Sequence, residues 1–421
     1  MISRSIERRA ESAAADDART LLCAAAVRSS AERVLTSALD GSLDDWTVNL
    51  DRLPATADFV ARVVRDRYPQ LDPPLHARWR HFVIAGRDLW REIAVTRNWP
   101  SPAAAARAAI DLVMTSVLLD AGARPGWRYR DAATGLIAAR SEGLALASLR
   151  WFESGALSDD PGDPLRVDAA ALRRVDTRLI NEAFQATPTE PLLGSEGRAT
   201  LLNRLGVALQ TRPDLFALSD SPRPGGLFDA FARRASHGPL PAAVILETLL
   251  DALGSIWPDR PSLGGVPLGD CWFHPALQGT TPAQRYVPLH KLSQWLTYSL
   301  IEPLECAGLR VCRVEELTGL AEYRNGGLFV DMGVIMPRDS AAWSQTYAVS
   351  DPLVVGWRAL TVALLDALAP LVRARLGLTS EAFPLACMLE GGTWAAGRLI
   401  ARDRRANGEP PFHILSDGTV F

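Results

Sequence analysis

The sequence has no excess of charge of either sign. Its 45 basic and 48 acidic side chains nearly cancel, which leaves a formal net charge of −3. A surface that binds nucleic acid or an anionic bilayer needs clustered basic side chains. We therefore expect neither a nucleic acid nor a membrane as a partner.

Cysteine is scarce, and targeting signals are not visible. The five cysteines are odd in number and never occur in a C-x-x-C spacing, which is typical of reduced thiols in an intracellular protein. The N-terminus mixes acidic and basic residues and lacks the apolar segment of a secretory signal. We also find no apolar run long enough to span a bilayer, and we expect a cytoplasmic protein.

The common nucleotide, zinc and serine-hydrolase motifs are missing. Neither G-x-x-x-x-G-K-[ST] nor G-x-G-x-x-G occurs, so P-loop hydrolysis and Rossmann redox chemistry are excluded. H-E-x-x-H and G-x-S-x-G are absent too, and His274 is sixteen residues from His290. We predict no cofactor, and a metal held by ligands distant in sequence stays an open alternative.

What the sequence does contain is apolar residues at helical spacing. They recur through most of the 421 residues, with Ser101-Pro102 and Asp351-Pro352 as helix starts. Only three segments favour strands: 310–314, 327–335 and 412–421. The pattern predicts a mainly α, large multi-helix body with a small β element near residues 310–335.

Composition also suggests how the chain is divided. Residues 1–75 read as an N-terminal helical segment and residues 76–421 as the main domain. The Pro/Gly-rich stretch 221–226 separates helical patterns and is the best candidate for a boundary between two helical lobes.

The stretch from Gly269 to Met332 carries chemistry-bearing side chains among apolar ones, which is typical of a lined pocket or of a buried polar network. Within it, Glu322, Tyr323 and Arg324 directly precede a Gly-Gly pair. An arginine beside a glutamate lowers the pKa of the carboxyl group and keeps it anionic, which suits the stabilisation of a developing cation. An ordinary ion pair at a turn explains the same residues equally well.

Other groups in this stretch are secondary candidates. His290 and Lys291 open a helix, where an anion such as a phosphate is well placed. Asp270 and His274 could form an acid/base pair, although Pro275 disfavours the helix that their spacing requires. Asp331 is either a buried functional group or a turn acceptor.

Outside the stretch, Glu390 precedes two glycines in LEGG. Such glycines mark close approach by another backbone or by a ligand.

Several long strings resemble one family. WFHPALQG, VPLHKLSQWLTYSLIEPLE, LTGLAEYRNGGLFVDMGV, LEGGTWAAGR and SDGTVF closely resemble the uracil catabolism protein 4 family, from about Ala77 to the last residue. The resemblance implies a role in pyrimidine degradation, in a pathway that passes through UMP-derived intermediates and ribosylurea to urea.

A shorter segment has a second likeness. LTGLAEYR, at 317–324, is similar to the A-D-Y-R segment of the queuosine-nucleotide salvage glycosidases. The resemblance implies a helical core like that of DNA glycosylases and a carboxylate that acts in N-glycosidic cleavage. Glu322 stands at the position of that family's aspartate.

These observations predict an N-ribosidic hydrolase that splits ribosylurea or its 5′-phosphate, a small-molecule nucleoside or nucleotide derivative, into urea and the sugar. Glu322 would stabilise the cationic sugar and orient water, and Asp331, Asp270 or His274 would donate the proton that urea needs. The further candidates for substrate binding are His274, His290, Lys291, Trp272, Trp295, Tyr323, Arg324 and Arg398.

Two other functions stay open. An amide hydrolase acting on an opened pyrimidine nucleotide would need a metal, which the few histidines disfavour. A non-catalytic helical partner of pathway enzymes would expose a large apolar patch. The sequence leaves the oligomeric state open.

Overall fold

A computed structural model describes residues 12–120, 122–123, 126–218 and 221–415. This part of the chain is mainly helical, which confirms the predicted class. Its α-helices with defined bounds are α1 Ala24–Leu39, α2 Leu53–Arg67, α3 Leu89–Thr96, α4 Pro102–Leu118, α5 Arg140–Glu153, α6 Ala169–Leu172, α7 Thr177–Ala183, α8 Ser195–Thr211, α9 Pro213–Phe216, α10 Gly226–Ala235, α11 Ala242–Leu253, α12 Lys291–Cys306, α13 Tyr323–Asp331, α14 Pro352–Leu376, α15 Leu385–Met388 and α16 Trp394–Arg404.

The strands are short and occur only in pairs within the described residues. They are β1 Trp46–Val48, β2 Val83–Ile84, β3 Arg87–Asp88, β4 Tyr129–Arg130, β5 Ile137–Ala138, β6 Leu240–Pro241, β7 Ser262–Leu263, β8 Val266–Pro267, β9 Cys271–Phe273, β10 Tyr286–Pro288, β11 Val311–Cys312, β12 Ile335–Pro337, β13 Thr346–Tyr347 and β14 His413–Ile414. The pairs β6–β11 and β13–β14 are parallel. The pairs β1–β12, β2–β3, β4–β5, β7–β8 and β9–β10 are antiparallel.

The described chain divides into two compact units. Unit 1 contains the residues up to His76, Arg260–Gln294 and Val314–Leu415, and unit 2 contains Ala77–Asp259 and Trp295–Arg313. The stretch 221–226, predicted as a boundary, lies inside unit 2, whereas the end of the predicted N-terminal segment lies next to the division after His76.

The structure confirms the helix starts predicted at Ser101-Pro102 and Asp351-Pro352, and in each the first residue caps its helix. The Ser101 hydroxyl accepts the Ala104 N–H at 3.2 Å, and the Asp351 carboxylate accepts the Leu353 N–H at 3.0 Å. Gly377 ends α14 with φ +71°, a left-handed conformation that glycine adopts without strain.

The predicted strand at 327–335 is wrong. Residues up to Asp331 belong to α13, and only Ile335 begins a strand, β12. The run GGLFV has no helical period of its own, but the Glu322 side chain caps α13 and the apolar residues face other helices. The segment 310–314 does contain β11. The segment 412–421 contains β14, and its residues 416–421 lie outside the described part of the chain.

Helix α14 is the core of unit 1, where it packs against α1, α2 and α13. Contrary to the expectation from the sequence, it is long and apolar enough to cross a membrane by length and composition. However, 83% of its most apolar window is buried inside the protein, as is usual for the central helix of a globular core.

Candidate active site

Glu322 is a buried carboxylate fixed at the start of a helix. It is the N-cap of α13 and is 8% exposed. One carboxylate oxygen accepts the Arg324 N–H at 2.7 Å, and the other accepts the Asn325 N–H at 2.6 Å. The backbone therefore holds both oxygens at the positive end of the helix dipole.

The environment of Glu322 gives it an unusual pKa. Burial raises the pKa above its ordinary value of 4.5, and the two backbone N–H groups and the charges of Lys291 and His76 offset part of this increase. The predicted lowering by the Arg324 guanidinium is wrong, because that group donates to the Gly408 carbonyl oxygen at 2.8 Å and lies over the Tyr323 ring.

His76 and Glu390, which are also in unit 1, form a buried imidazole–carboxylate pair. The His76 Nδ1–H donates to a Glu390 carboxylate oxygen at 2.7 Å, and the two residues are 5% and 6% exposed. The charge of His76 acts on Glu322, so the pair lies within electrostatic reach of the capping carboxylate. This arrangement, a carboxylate that orients an imidazole, is common in general acid–base catalysis.

The backbone around Glu390 departs from regular α-helix. Residues Leu389–Thr393 form a turn of π-helix between α15 and α16, a feature that often occurs at functional sites. A Cβ at Gly391 would lie 2.9 Å from Pro73, and one at Gly392 would lie 2.7 Å from Val60. The two glycines thus let this turn pack directly against α2 and the segment that leads to His76.

Two further groups surround Glu390. Arg67 donates to the Glu390 backbone oxygen, and its guanidinium is 3.6 Å from the Glu390 carboxylate. Burial, followed by the charge of Glu390, raises the pKa of the Cys387 thiol to about 11. Cys387 is therefore a protonated, unreactive thiol at neutral pH.

Helix α16 crosses α13 closely beside Glu322. A Cβ at Gly397 would overlap the Arg324 carbonyl oxygen, so only glycine allows this approach. The neighbouring Arg398 lies with its guanidinium carbon 4.7 Å from the centre of the Trp394 ring. Trp394 in turn lies 6.1 Å from the His76 ring.

Asp270 has a different environment from the one its predicted role requires. Burial alone would raise its pKa, but the Arg358 charge and hydrogen bonds from Arg358, Trp272 and the Lys291 backbone outweigh burial and hold the pKa well below its ordinary value. Arg358 donates to both carboxylate oxygens at 2.7 Å. This corrects the predicted role, because an anion held in this way does not donate a proton near neutral pH.

The two histidines of the central stretch both form hydrogen bonds with backbone groups. His274 accepts the Ala276 N–H through Nδ1 and donates through Nε2 to the Pro352 oxygen, both at 3.2 Å. His290 Nε2 donates to the Leu21 oxygen at 3.0 Å. Burial lowers the pKa of both imidazoles. For His274 this corrects the predicted roles in proton transfer and substrate binding. The Nδ1 of His290 is buried without a hydrogen-bond partner among the described residues, and the role of His290 in substrate binding stays a prediction.

Asp331 lies at the other end of α13 from Glu322. Nine residues of helix correspond to about 13 Å along the axis. Arg405 donates to both Asp331 oxygens at 2.7 and 2.6 Å. This corrects the predicted role of Asp331 as the proton donor in a reaction at Glu322.

The remaining predicted residues are divided between the units. Lys291 begins α12 in unit 1, where its charge acts on Glu322. The Trp272 indole donates to Asp270 at 2.9 Å and lies beneath the Arg260 guanidinium. Trp295 belongs to unit 2, where its ring packs against His81 and Arg78.

Besides His290 Nδ1, two buried polar atoms near the candidate site have no hydrogen-bond partner among the described residues. They are Asn325 Oδ1, in the first turn of α13, and Thr393 Oγ1, in the π-turn that carries Glu390. Across the same part of the chain, no group of three or more His, Cys, Asp and Glu side chains is placed to hold a metal.

Sequence reasoning missed His76 and gave Glu390 only a weak signal. His76 follows the prolines of LDPPLH, where no periodic pattern stands out, and it lies 314 residues from Glu390. The Gly-Gly pair after Glu390 was the one local sign of tight packing at this place.

Comparison with known proteins places the chain among relatives of similar length. It is 39% identical over 408 residues to Protein urg3 of Schizosaccharomyces pombe, with 94% of this chain and 96% of that protein covered. It is 36% identical over 416 residues to Uracil catabolism protein 4 of Lachancea kluyveri, with 91% and 93% covered. A family model described as Protein of unknown function (DUF1688) matches residues 20–421, a match that begins earlier than Ala77. The chain therefore belongs to this family, as the resemblance in its sequence predicted.

Proposed function

We propose that this protein acts in uracil catabolism, as the name of the Lachancea kluyveri relative says of that protein. Its reaction is hydrolysis of the N-ribosidic bond of ribosylurea or of its 5′-phosphate. The products are urea and ribose or ribose 5-phosphate. The single observation that supports this reaction best is the environment of Glu322.

Glu322 has what a carboxylate needs to stabilise a cationic sugar. Its two oxygens are positioned by backbone N–H groups, so no side-chain rearrangement is needed when charge develops on the substrate. Burial weakens screening by water, which makes the attraction between the carboxylate and a cation stronger than at a surface. Breaking a ribosidic C–N bond creates such a cation at C1.

The charged neighbours of Glu322 suit a substrate that carries a phosphate. We assign the 5′-phosphate to Lys291, the first residue of α12, and to Arg398 in the second turn of α16. Tyr323 would form the wall of the sugar site. An ammonium and a guanidinium both bind phosphate through charge-assisted hydrogen bonds.

The test is an assay of urea release by the purified protein from ribosylurea and from its 5′-phosphate. We expect the wild type to release urea and Glu322→Gln to lose about 10²- to 10³-fold in kcat, since the amide keeps the shape but not the charge. Glu315→Gln is the matched control, because Glu315 is exposed on the preceding turn.

Two outcomes contradict the proposal. If the wild type releases urea from neither substrate, the protein is not a ribosylurea hydrolase. If Glu322→Gln is as active as Glu315→Gln, the reaction does not use the capping carboxylate.

A further inference from the structure

Urea is a poor leaving group and departs only when its nitrogen receives a proton. The three donors that the sequence suggested are unsuitable. Arg358 holds Asp270 as an anion, Asp331 pairs with Arg405 at the far end of α13, and both His274 nitrogens bond to backbone groups. The reaction proposed above therefore needs another acid near Glu322.

The His76–Glu390 pair has the geometry of such an acid. With Nδ1–H directed at Glu390, the tautomer and the ring plane of His76 are fixed. His76 is held further by its backbone N–H, which donates to the Ala386 oxygen at 3.1 Å.

The structure around Glu390 is built to keep the carboxylate in this place. Arg67 holds the irregular turn through the Glu390 backbone oxygen. Gly391 and Gly392 allow the turn to touch Pro73 and Val60, which brings it against the segment that precedes His76. Three separate elements thus converge on one imidazole–carboxylate contact.

We propose that His76, positioned by Glu390, donates the proton to the departing urea nitrogen, an inference that rests on the function proposed above. As the C1–N bond breaks, its electron pair stays on the urea nitrogen, which takes the proton from His76 Nε2. Water adds to C1 and passes a proton to Glu322. Exchange with solvent then restores both groups, so that ribosylurea and water give ribose and urea. His76 is the catalytic residue in this step, and Glu390 is a positioning residue.

The experiment compares wild type, His76→Asn and Glu390→Gln with ribosylurea as substrate, in H₂O and in D₂O. The matched control is His237→Asn, because His237 is exposed in unit 2. We expect His76→Asn to lose about 10²- to 10⁴-fold in kcat with a KM within a few fold of the wild type. We also expect D₂O to slow the wild type but not the residual reaction of His76→Asn.

The inference is overturned if His76→Asn keeps kcat within about threefold of the His237→Asn control, or if only its KM changes. Should His76→Asn not fold, Glu390→Gln decides, because its amide oxygen still accepts the Nδ1–H but does not stabilise an imidazolium. Its kcat should fall at least about tenfold at constant KM, and an unchanged kcat overturns the inference. A wild type that releases no urea overturns the proposed function as well, whereas an active wild type beside an equally active His76→Asn overturns only the role of His76.

Discussion

Glu322 combines a structural role with the one that we propose for it in catalysis. As an N-cap it accepts two backbone N–H groups, and as a buried carboxylate it has a raised pKa. The charge of Lys291 counteracts that increase. Lys291 is the only lysine in the sequence, whose other basic side chains are all arginine. A compact ammonium differs from a guanidinium in shape and in hydrogen-bond geometry. An arginine at position 291 would therefore not present its charge in the same way.

Replacing Lys291 should change the pH dependence of activity. Its charge lowers the pKa of Glu322, so Lys291→Met raises that pKa further. Because the reaction needs the anionic carboxylate, activity falls as the pH drops through the pKa of Glu322. The acidic limb of the kcat/KM profile should therefore move to higher pH in Lys291→Met and stay near its wild-type position in Lys291→Arg. Equal limbs in all three proteins would show that Lys291 does not act on the reacting carboxylate.

The sequence predicted Glu322 but not its partners, for a local reason. The A-E-Y-R segment and the following glycines are adjacent in the chain, so pattern and resemblance both find them. His76 and Glu390 meet only through packing of the π-turn against α2. Neither segment contains a sequence pattern that indicates contact with the other. Asp270 and His274 were chosen because they are close in sequence, and tertiary structure gives them different partners.

Among the secondary-structure elements, glycines set how closely the helices of the site approach. The backbones of α13 and α16 meet where Gly397 faces the Arg324 carbonyl oxygen. The helical spacing of apolar residues that runs through most of the chain predicted helix on the α16 side of this contact. It did not predict α13, because GGLFV alone resembles a strand. The helix begins at this place because the buried Glu322 side chain caps it.

Gly397→Ala should lower the stability of the protein. A methyl group there overlaps backbone atoms of α13, which cannot move aside as a side chain can, and overpacking of this kind costs about 1–3 kcal/mol. Alanine is favoured over glycine in a helix by about 1 kcal/mol, so overpacking at the upper end of its range leaves an expected net loss of about 2 kcal/mol. Guanidinium unfolding measures it against Gly126→Ala, since a Cβ at Gly126 meets nothing within 4 Å. Equal stability of the two variants would contradict the close approach of the helices.

At the scale of the whole molecule, unit 1 is organised around α14 and its buried charges. Arg358 of α14 forms a bidentate pair with Asp270 inside the core. Composition and apolar periodicity predicted a mainly α protein and this long helix, since both are properties of local sequence. The division of the chain was harder to predict, because each unit is assembled from segments that are distant in sequence.

Asp270→Asn should destabilise the protein by about 3–5 kcal/mol near neutral pH, because it leaves the buried Arg358 charge uncompensated. Asp58→Asn, which removes an exposed pair with Arg375, should cost less than about 1 kcal/mol. The pKa of Asp270 is lower in the folded than in the unfolded protein, so its contribution is present above the ordinary pKa and is lost as the pH falls below it.

Guanidinium unfolding between pH 3 and pH 7 measures both effects. The wild type should lose stability toward acid more steeply than Asp270→Asn. Parallel pH profiles for the two proteins would show that the Asp270–Arg358 pair does not stabilise the fold.

The central claim is that an anionic Glu322 faces a sugar that becomes cationic. It is tested most directly by calorimetric titration with a ribose analogue whose ring is a protonated pyrrolidine, beside its neutral tetrahydrofuran counterpart. Wild type should bind the cation at least about 100-fold more tightly than the neutral compound, and Glu322→Gln, with its fold verified by circular dichroism, should lose this preference. Equal affinity of the wild type for the two compounds would contradict the claim.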